Sequence, residues 1–438
     1  MFKATGKKMM LLMLAACMVM LTACGGGKDN AGESPASSSG SENQPVKLKF
    51  YAQYSGENIP VYDAAKEAMK KVMPEVEVEF EVAAQDDEQK IKTYAAAGTL
   101  PDIFFASSGL IEVFRTSDNL MQLDQIVKDN NIEEMLNPTS KAMLWNKDGH
   151  SYAVPNVGQW AAIVYYNKEL FESNNVKVPE NYTEFLAAVK TFSSKDITPL
   201  ALFAKEKWPI VQLYDMAVVS SEPGGLKKLD GGEGTFSDEA YIKGANKVAE
   251  LSEAGILSKN AFNMTWDDAM AQFTSGKSAM ILNGAWVMND IYKAMGDKVD
   301  ILYTPLVDAE TAETTKWNIS GGGFNQGFAV SKNSKNPEVA AKYAALFSIE
   351  FAKSRVELLG DPNPILNENP EPKNGLSPIQ QKYAADSANF KTMTSFAWGL
   401  ENAKFKTAIE DNTPLLLLNK KVDAFIEQMN KSLEAARK

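Results

Sequence analysis

Residues 46 to 109 constrain the fold most, because their apolar residues change period four times. "VKLKFYA", residues 46 to 52, alternates apolar and polar side chains as a half-buried strand does. Val61, Ala64, Ala65, Ala68, Met69 and Val72 then recur at helical spacing, and Pro74 ends that helix. "VEVEFEV" alternates again, "DDEQKIKTYAAAG" reads as a second helix closing at Gly98, and "LPDIFFASSG" reads as a buried third strand. Strand-helix-strand-helix-strand opens a mostly parallel sheet flanked by helices, an α/β architecture. Ligands of such sheets bind outside the carboxyl ends of the strands. That rule puts Tyr54 and Ser55, Gln85 to Glu88, and Ala106 to Gly109 along one rim.

A second region of this kind follows. A turn at Asp148-Gly149 leads to a strand at Ala161 to Tyr166, then helices, then the strand candidate "ITPLALF". Later come "FTSGKSAMILNGAW", "DILYTPLV" and the Gly-rich "NISGGGFNQGFAVS", with mostly helical sequence to the end. About 390 residues are too many for one ordinary core, so two lobes are expected.

The N-terminus is built differently. Lys3, Lys7 and Lys8 precede the apolar run "MMLLMLAACMVML", and Leu21-Thr22-Ala23-Cys24 follows. That order is a secretory signal, and its apolar run is short of the roughly 20 residues a membrane span needs. The small residue before Cys24 resembles a bacterial lipobox, in which cleavage leaves the cysteine to carry a diacylglycerol. Residues 24 to 45 are Gly, Ser, Asn, Glu and Pro in the main, too polar to order themselves, and form a tether reaching roughly 25 Å. The expectation is a signal peptide over 1–23, acylation at Cys24, and anchoring to the lipid bilayer on the extracellular face of the bacterial cytoplasmic membrane.

Composition narrows the function. Cys17 leaves with the signal and Cys24 is the lipidation site, so no thiol remains for a disulfide, zinc site or nucleophile. A single histidine, His150, argues against a metal site or catalytic triad and reads as part of an exposed turn. The net charge of −11 argues against nucleic acid and against electrostatic attachment to anionic lipid. No cofactor, no metal and no catalytic residue is expected, and a monomer is.

Several pieces, in order along the chain, resemble the extracellular solute-binding proteins of ABC importers, specifically the sugar-binding lipoproteins. They are "AAAGTLPDIFF", "YAVPNVGQWAAIVYYNKELFE", "VPENYTEFLAAVKTF", "FTSGKSAMILNGAW", "GGGFNQGFAVSKNSKNPEVAAKYAALF" and "SFAWG", and they cover most of residues 46 to 400. Where that family often opens the helix near 181 with Thr-Trp, this chain has Asn181-Tyr182, and Asn caps a helix about as well. The resemblance implies a two-lobed, periplasmic-binding-protein-like (Venus flytrap) fold that closes on a ligand. It implies three crossings between lobes, near Asn156 to Trp160, Ser320 to Phe324, and Asp386. Lobe 1 would then be 46–157 and 325–385, and lobe 2 158–324 and 386–438.

A sugar cleft needs flat aromatic rings for C–H faces and fixed polar groups for hydroxyls. By the resemblance, Trp286 in "NGAW" and Trp398 in "SFAW" hold stacking positions, and Trp160 stands at the first crossing. Trp208 and Trp317 lie near expected loops. On the first lobe Tyr54, Glu57, Asp86, Glu88, Ser107 and Ser108 lie on the rim, where acids accept strongly from hydroxyls. Asn283 stands at the mouth of the second lobe, and Gly322 in the glycine run suits a hinge. Asp86 and Asp87 would equally serve the dipole of the helix they precede.

Other motifs fail. "SGKS" lacks the P-loop glycine, since Ala271 stands there, and Gln326 spoils a GxGxxG reading of "GGGFNQG". Asp267-Asp268 reads as a helix start with Thr265 rather than a catalytic pair. The expected function is capture of a carbohydrate, an oligosaccharide, for delivery to ABC permease subunits. The alternatives are the same fold binding a polyamine or peptide, and a surface-anchored glycoside hydrolase.

Overall fold

The structure is a computed structural model that describes residues 45–84, 86, 88–322, 326–419 and 421–438. The signal segment, Cys24 and most of the tether lie outside the described residues, as do Gln85, Asp87, Gly323, Phe324 and Asn325. The described residues fall in one compact unit, Gln44–Lys438.

The first sheet opens with β1 (Val46–Ala52), β2 (Val76–Val82), β3 (Ile103–Ala106) and β4 (Ala153–Pro155). The second comprises β5 (Ala162–Asn167), β6 (Thr198–Ala201), β7 (Ser278–Gly284) and β8 (Val299–Leu302). The chain then forms β9 (Asn318–Ile319), re-enters the first sheet as β10 (Gly327–Val330), and later adds β11 (Thr392–Met393). The sheet orders are β2-β1-β3-β10-β4 and β6-β7-β5-β8, with β9 and β11 paired separately.

In each large sheet one strand opposes the rest. β10 runs antiparallel to β3 and β4, and β5 runs antiparallel to β7 and β8. Both follow a crossing. The parallel strands point their carboxyl ends at the seam between the halves, so a chain entering from that seam must run the other way. The α/β, mostly parallel character expected from the sequence follows from this.

Three buried apolar clusters back the sheets, the third gathering Phe104, Leu110 and Phe114 on the first sheet. In the first, Phe50, Tyr62, Phe80, Phe328, Phe347 and Phe351 interlock through ring contacts, covered by the helices Asn58–Val72 and Pro337–Leu359. In the second, the helix Trp208–Val219 is buried on every side, as its near-continuous apolar sequence requires.

The crossings are bound to one another. Ala161 bridges Gly321, and Ala162 N donates to Ser320 O at 2.8 Å. β9 and β11 pair in parallel, and Thr394 N donates to Ile319 O at 3.0 Å. Gly321 has φ +105°, and a Cβ there would lie 2.5 Å from Ala162 N, so the contact between crossings requires glycine. Ile379 and Tyr383 belong to the second core, and Lys382 pairs with Asp300 of β8 at 2.7 Å. The helix Pro378–Ser387 thus packs on the second half, while Gln380 Nε2 donates to Leu359 O at 2.8 Å at the end of the helix Pro337–Leu359.

Candidate functional site

Five tryptophans gather at one rim of the second sheet. Trp208 and Trp286 follow the carboxyl ends of β6 and β7, and Trp160 precedes the start of β5, which lies beside that end of β7. Trp266 opens the helix Trp266–Thr274, fixed by a capping box in which Thr265 and Asp268 bond reciprocally. Trp398 comes from the loop after β11.

Most of the rings touch edge to face or tilted. Trp160 meets Trp286 at 4.5 Å and Trp398 at 6.0 Å, and Trp208 meets Trp398 at 4.7 Å. Trp266 and Trp286 lie near parallel, 6.4 Å apart at 17°. Phe396 and Phe203 are buried against these rings. Trp160 and Trp208 are only 8% and 6% exposed, whereas Trp266, Trp286 and Trp398 keep part of their surface open. A Cβ on Gly284 would fall 1.9 Å from the Trp286 ring, so glycine lets that indole fold back over the end of β7. Glu206 accepts from Trp208 Nε1 at 3.1 Å and from Trp266 N at 3.2 Å, fixing two of the rings.

The rim of the first sheet faces this cluster. Ser108 Oγ donates to Trp398 O at 3.3 Å, and Gly109 N reaches the same oxygen at 3.4 Å. Lys147 pairs with Glu401 at 2.5 Å across the same seam. Burial pushes the Glu401 carboxyl up, but the Lys147 and Lys227 ammoniums outweigh it and hold the group below its usual range. Farther along, Asn289 Nδ2 donates to Glu57 Oε2 at 3.0 Å. Burial, then Asp290, push the Glu57 carboxyl up to about 7, against the pull of Asn289 and Arg355.

Of the residues singled out in the sequence, the structure brings Trp160, Trp208, Trp286 and Trp398 together and sets Ser108 against Trp398. Ser107 caps the helix Ser108–Thr116, accepting from Leu110 N at 3.2 Å. Asp86 accepts from Lys90 N at 2.9 Å, and Glu88 lies 3.8 Å from Lys92, so both serve the following helix. Tyr54 stacks on Phe80 at 5.0 Å and donates to Asp63, turning toward the first core. Asn283 is fully buried, its amide oxygen held by Gly284 N at 2.9 Å. Gly322 has φ +92°, and a Cβ there would lie 2.6 Å from the Met393 side chain. Trp317 packs with Tyr303 and Phe390, apart from the other rings. His150, expected in an exposed turn, pairs with Asp124 at 2.7 Å.

Sequence reasoning missed Trp266, Phe396 and Glu206. Trp266 had a usable signal, because it occupies the first turn of a helix whose capping box was legible, as Trp208 does for its own helix. Among the described residues no group of three or more His, Cys, Asp or Glu side chains could hold a metal ion, and no helix is long and apolar enough to cross a membrane. What the site offers is open indole surface bordered by backbone and hydroxyl groups.

A family model described as bacterial extracellular solute-binding protein matches residues 56–348. The multiple sugar-binding protein of Streptococcus mutans is 22% identical over 383 residues, spanning 82% of this chain and 83% of its own. A structure from work on xylan utilization by the thermophilic bacterium Caldanaerobius polysaccharolyticus is 25% identical, with TM-score 0.77 over 88% of this chain and 99% of its own. A chitin oligosaccharide binding protein is 20% identical, with TM-score 0.77 over 90% of this chain and 99% of its own.

Proposed function

Because this chain belongs to the bacterial extracellular solute-binding proteins, we propose that it captures an oligosaccharide between its two halves and hands it to the permease subunits of an ABC importer. The observation that carries this reading is the cluster of five tryptophans on the second rim, facing the Ser107–Gly109 turn of the first. Open faces of Trp266, Trp286 and Trp398 suit the C–H faces of sugar rings, and Trp160 and Trp208 support them from below. Ser108 and the Trp398 carbonyl lie where hydroxyl edges would come. A sugar bridging both rims favours the closed arrangement by its differential contacts, and the permease reads that arrangement. No bond is made or broken in the sugar. Cys24 carries the lipid, and residues 25–45 keep the receptor a short distance from the bilayer.

A thermal-shift screen of residues 44–438 against mono- and oligosaccharides, spermidine and short peptides tests the reading. A ligand at 100 times its Kd adds about 2.7 kcal/mol of stability. An oligosaccharide that raises the melting temperature and is recovered intact supports it. A sugar cleaved during incubation replaces the receptor with a hydrolase, and a response to spermidine or peptide alone overturns the carbohydrate assignment. Cys24→Ser tests the anchor, since the variant should appear in the medium rather than with membranes.

A further inference from the structure

Where the first half meets the Trp398 loop, the contact is made largely by backbone. Ser108 and Gly109 open the helix Ser108–Thr116, and both reach Trp398 O, Ser108 Oγ at 3.3 Å and Gly109 N at 3.4 Å. A Cβ on Gly109 would lie 2.9 Å from Leu400 O and 3.6 Å from Trp398 O. Gly109 is helical and is not among the glycines of positive φ, so its own helix does not require glycine. Only the facing loop does.

That loop is fixed to the second half. Ala397 and Leu400 are buried in the second core. Asp230 accepts from Glu401 N at 2.9 Å and Asn402 N at 3.0 Å, and Lys227 donates to Gly399 O at 2.9 Å. Lys227 also pairs with Asp230 and Glu401. The loop therefore travels with the second half, and an atom added at position 109 is accommodated by parting the halves.

We propose that Gly109 is the closing stop of the receptor: its bare backbone sets how near the two halves come, and so where Ser108 and the Trp398 indole stand about a ligand. The proposal rests on the opening and closing invoked above. Gly109 is a positioning residue, acting through the distance between the rims. With the halves apart nothing in the Trp398 loop opposes a methyl group at 109, so Gly109→Ala places its whole penalty on the closed form.

A carbodiimide, which joins a carboxyl and an amine in contact as an amide, reads closure without any ligand. Lys147 of the first half pairs with Glu401 at 2.5 Å, and Lys227 of the second half pairs with the same carboxyl at 2.9 Å. The Lys147–Glu401 product, measured by peptide mass mapping, reports the closed arrangement. The Lys227–Glu401 product forms with the halves apart or together and is the internal standard. In Gly109→Ala the ratio of the first product to the second should fall about tenfold, as for an overpacked contact, with the circular dichroism of the wild type retained. Ser108→Ala removes a hydroxyl and adds no atom, so its ratio should fall less, which separates crowding from a lost hydrogen bond. Absence of the Lys147 product in the wild type, an unchanged ratio or loss of the folded signal in Gly109→Ala, or an equal fall in Ser108→Ala overturns the stop. The thermal-shift screen tests sugar capture on the wild-type chain. An oligosaccharide that raises the melting temperature there, beside an unmoved ratio in Gly109→Ala, leaves capture standing and removes the stop alone.

Discussion

Asp215, fully buried in the helix Trp208–Val219, accepts the Ser320 hydroxyl at 2.6 Å and so ties the second crossing to the second core. Its carboxylate also takes the Thr394 hydroxyl at 2.8 Å and Leu226 N at 2.8 Å. One side chain thereby holds the residues that follow both strands of the β9–β11 pair.

Burial pushes the Asp215 carboxyl up to about 6, against the three donors that pull it down. A carboxyl raised in the folded state contributes most below its ordinary pKa, and that contribution is lost as pH rises through about 6. Asp215→Asn should lack this loss, which is about 3 kcal/mol at 1.36 kcal/mol per pKa unit. Denaturant unfolding at pH 4 to 7 measures it. Parallel wild-type and Asp215→Asn curves would show that the group does not titrate on folding.

Trp286→Ala and Trp398→Ala should each weaken binding of the identified sugar by roughly 30-fold, about 2 kcal/mol, as for a buried aromatic anchor. Trp317→Ala, which removes a ring packed on Tyr303 and Phe390, should leave affinity within about twofold. Isothermal titration calorimetry decides. Wild-type affinity in Trp286→Ala would remove the indole cluster from the site.

Gly321→Ala forces a Cβ to within 2.5 Å of Ala162 N at φ +105°. The expected cost is about 2–3 kcal/mol of unfolding free energy. Gly375→Ala is the control, since φ there is +66° but nothing lies within 4 Å, so only the backbone strain of about 1 kcal/mol remains. Equal losses in the two variants would remove the crowding of the crossings from the account.

Lys147→Ala deletes an ion pair that spans the seam, yet the Lys147 side chain is 79% exposed. Exposed pairs contribute about 0–1 kcal/mol, so melting temperature should barely move and sugar affinity should change by less than about fivefold. A larger loss of affinity would make this pair part of the closure.

How far the sequence carried the fold depended on range. Strand and helix periods, the Asn181 cap and the Thr265–Asp268 capping box were legible because each is settled within a few residues. The resemblance pointed to Trp286 and Trp398 and a neighbouring loop to Trp208, and the structure brings these three rings together. Glu57, Asp86 and Tyr54 were expected on the rim, but strand ends do not say where a side chain turns. Asn289 and Asp290 lie more than 200 residues from Glu57, and Lys90 and Asp63 claim the other two. Trp266 was passed over because its neighbours explained the helix start without it. The third crossing was expected near Asp386, and the partners of Ile379, Tyr383 and Gln380 on the two halves appear only in the folded chain.

The place of β10 sets an order of assembly. β10 lies between β3 and β4, and its Phe328 meets Phe50 of β1 at 4.8 Å. Until residue 330 is available, β4 has no partner in the first sheet and the ring cluster lacks a member. β5 to β8 all lie within residues 162–302, so the second sheet can pair its strands earlier. Contacts of such long sequence separation form slowly, so pairing of β10 with β3 is expected to lag behind local strand pairing. The first sheet is complete once residue 330 is made, whereas the second core also takes Phe425 and Leu433 from the far end of the chain.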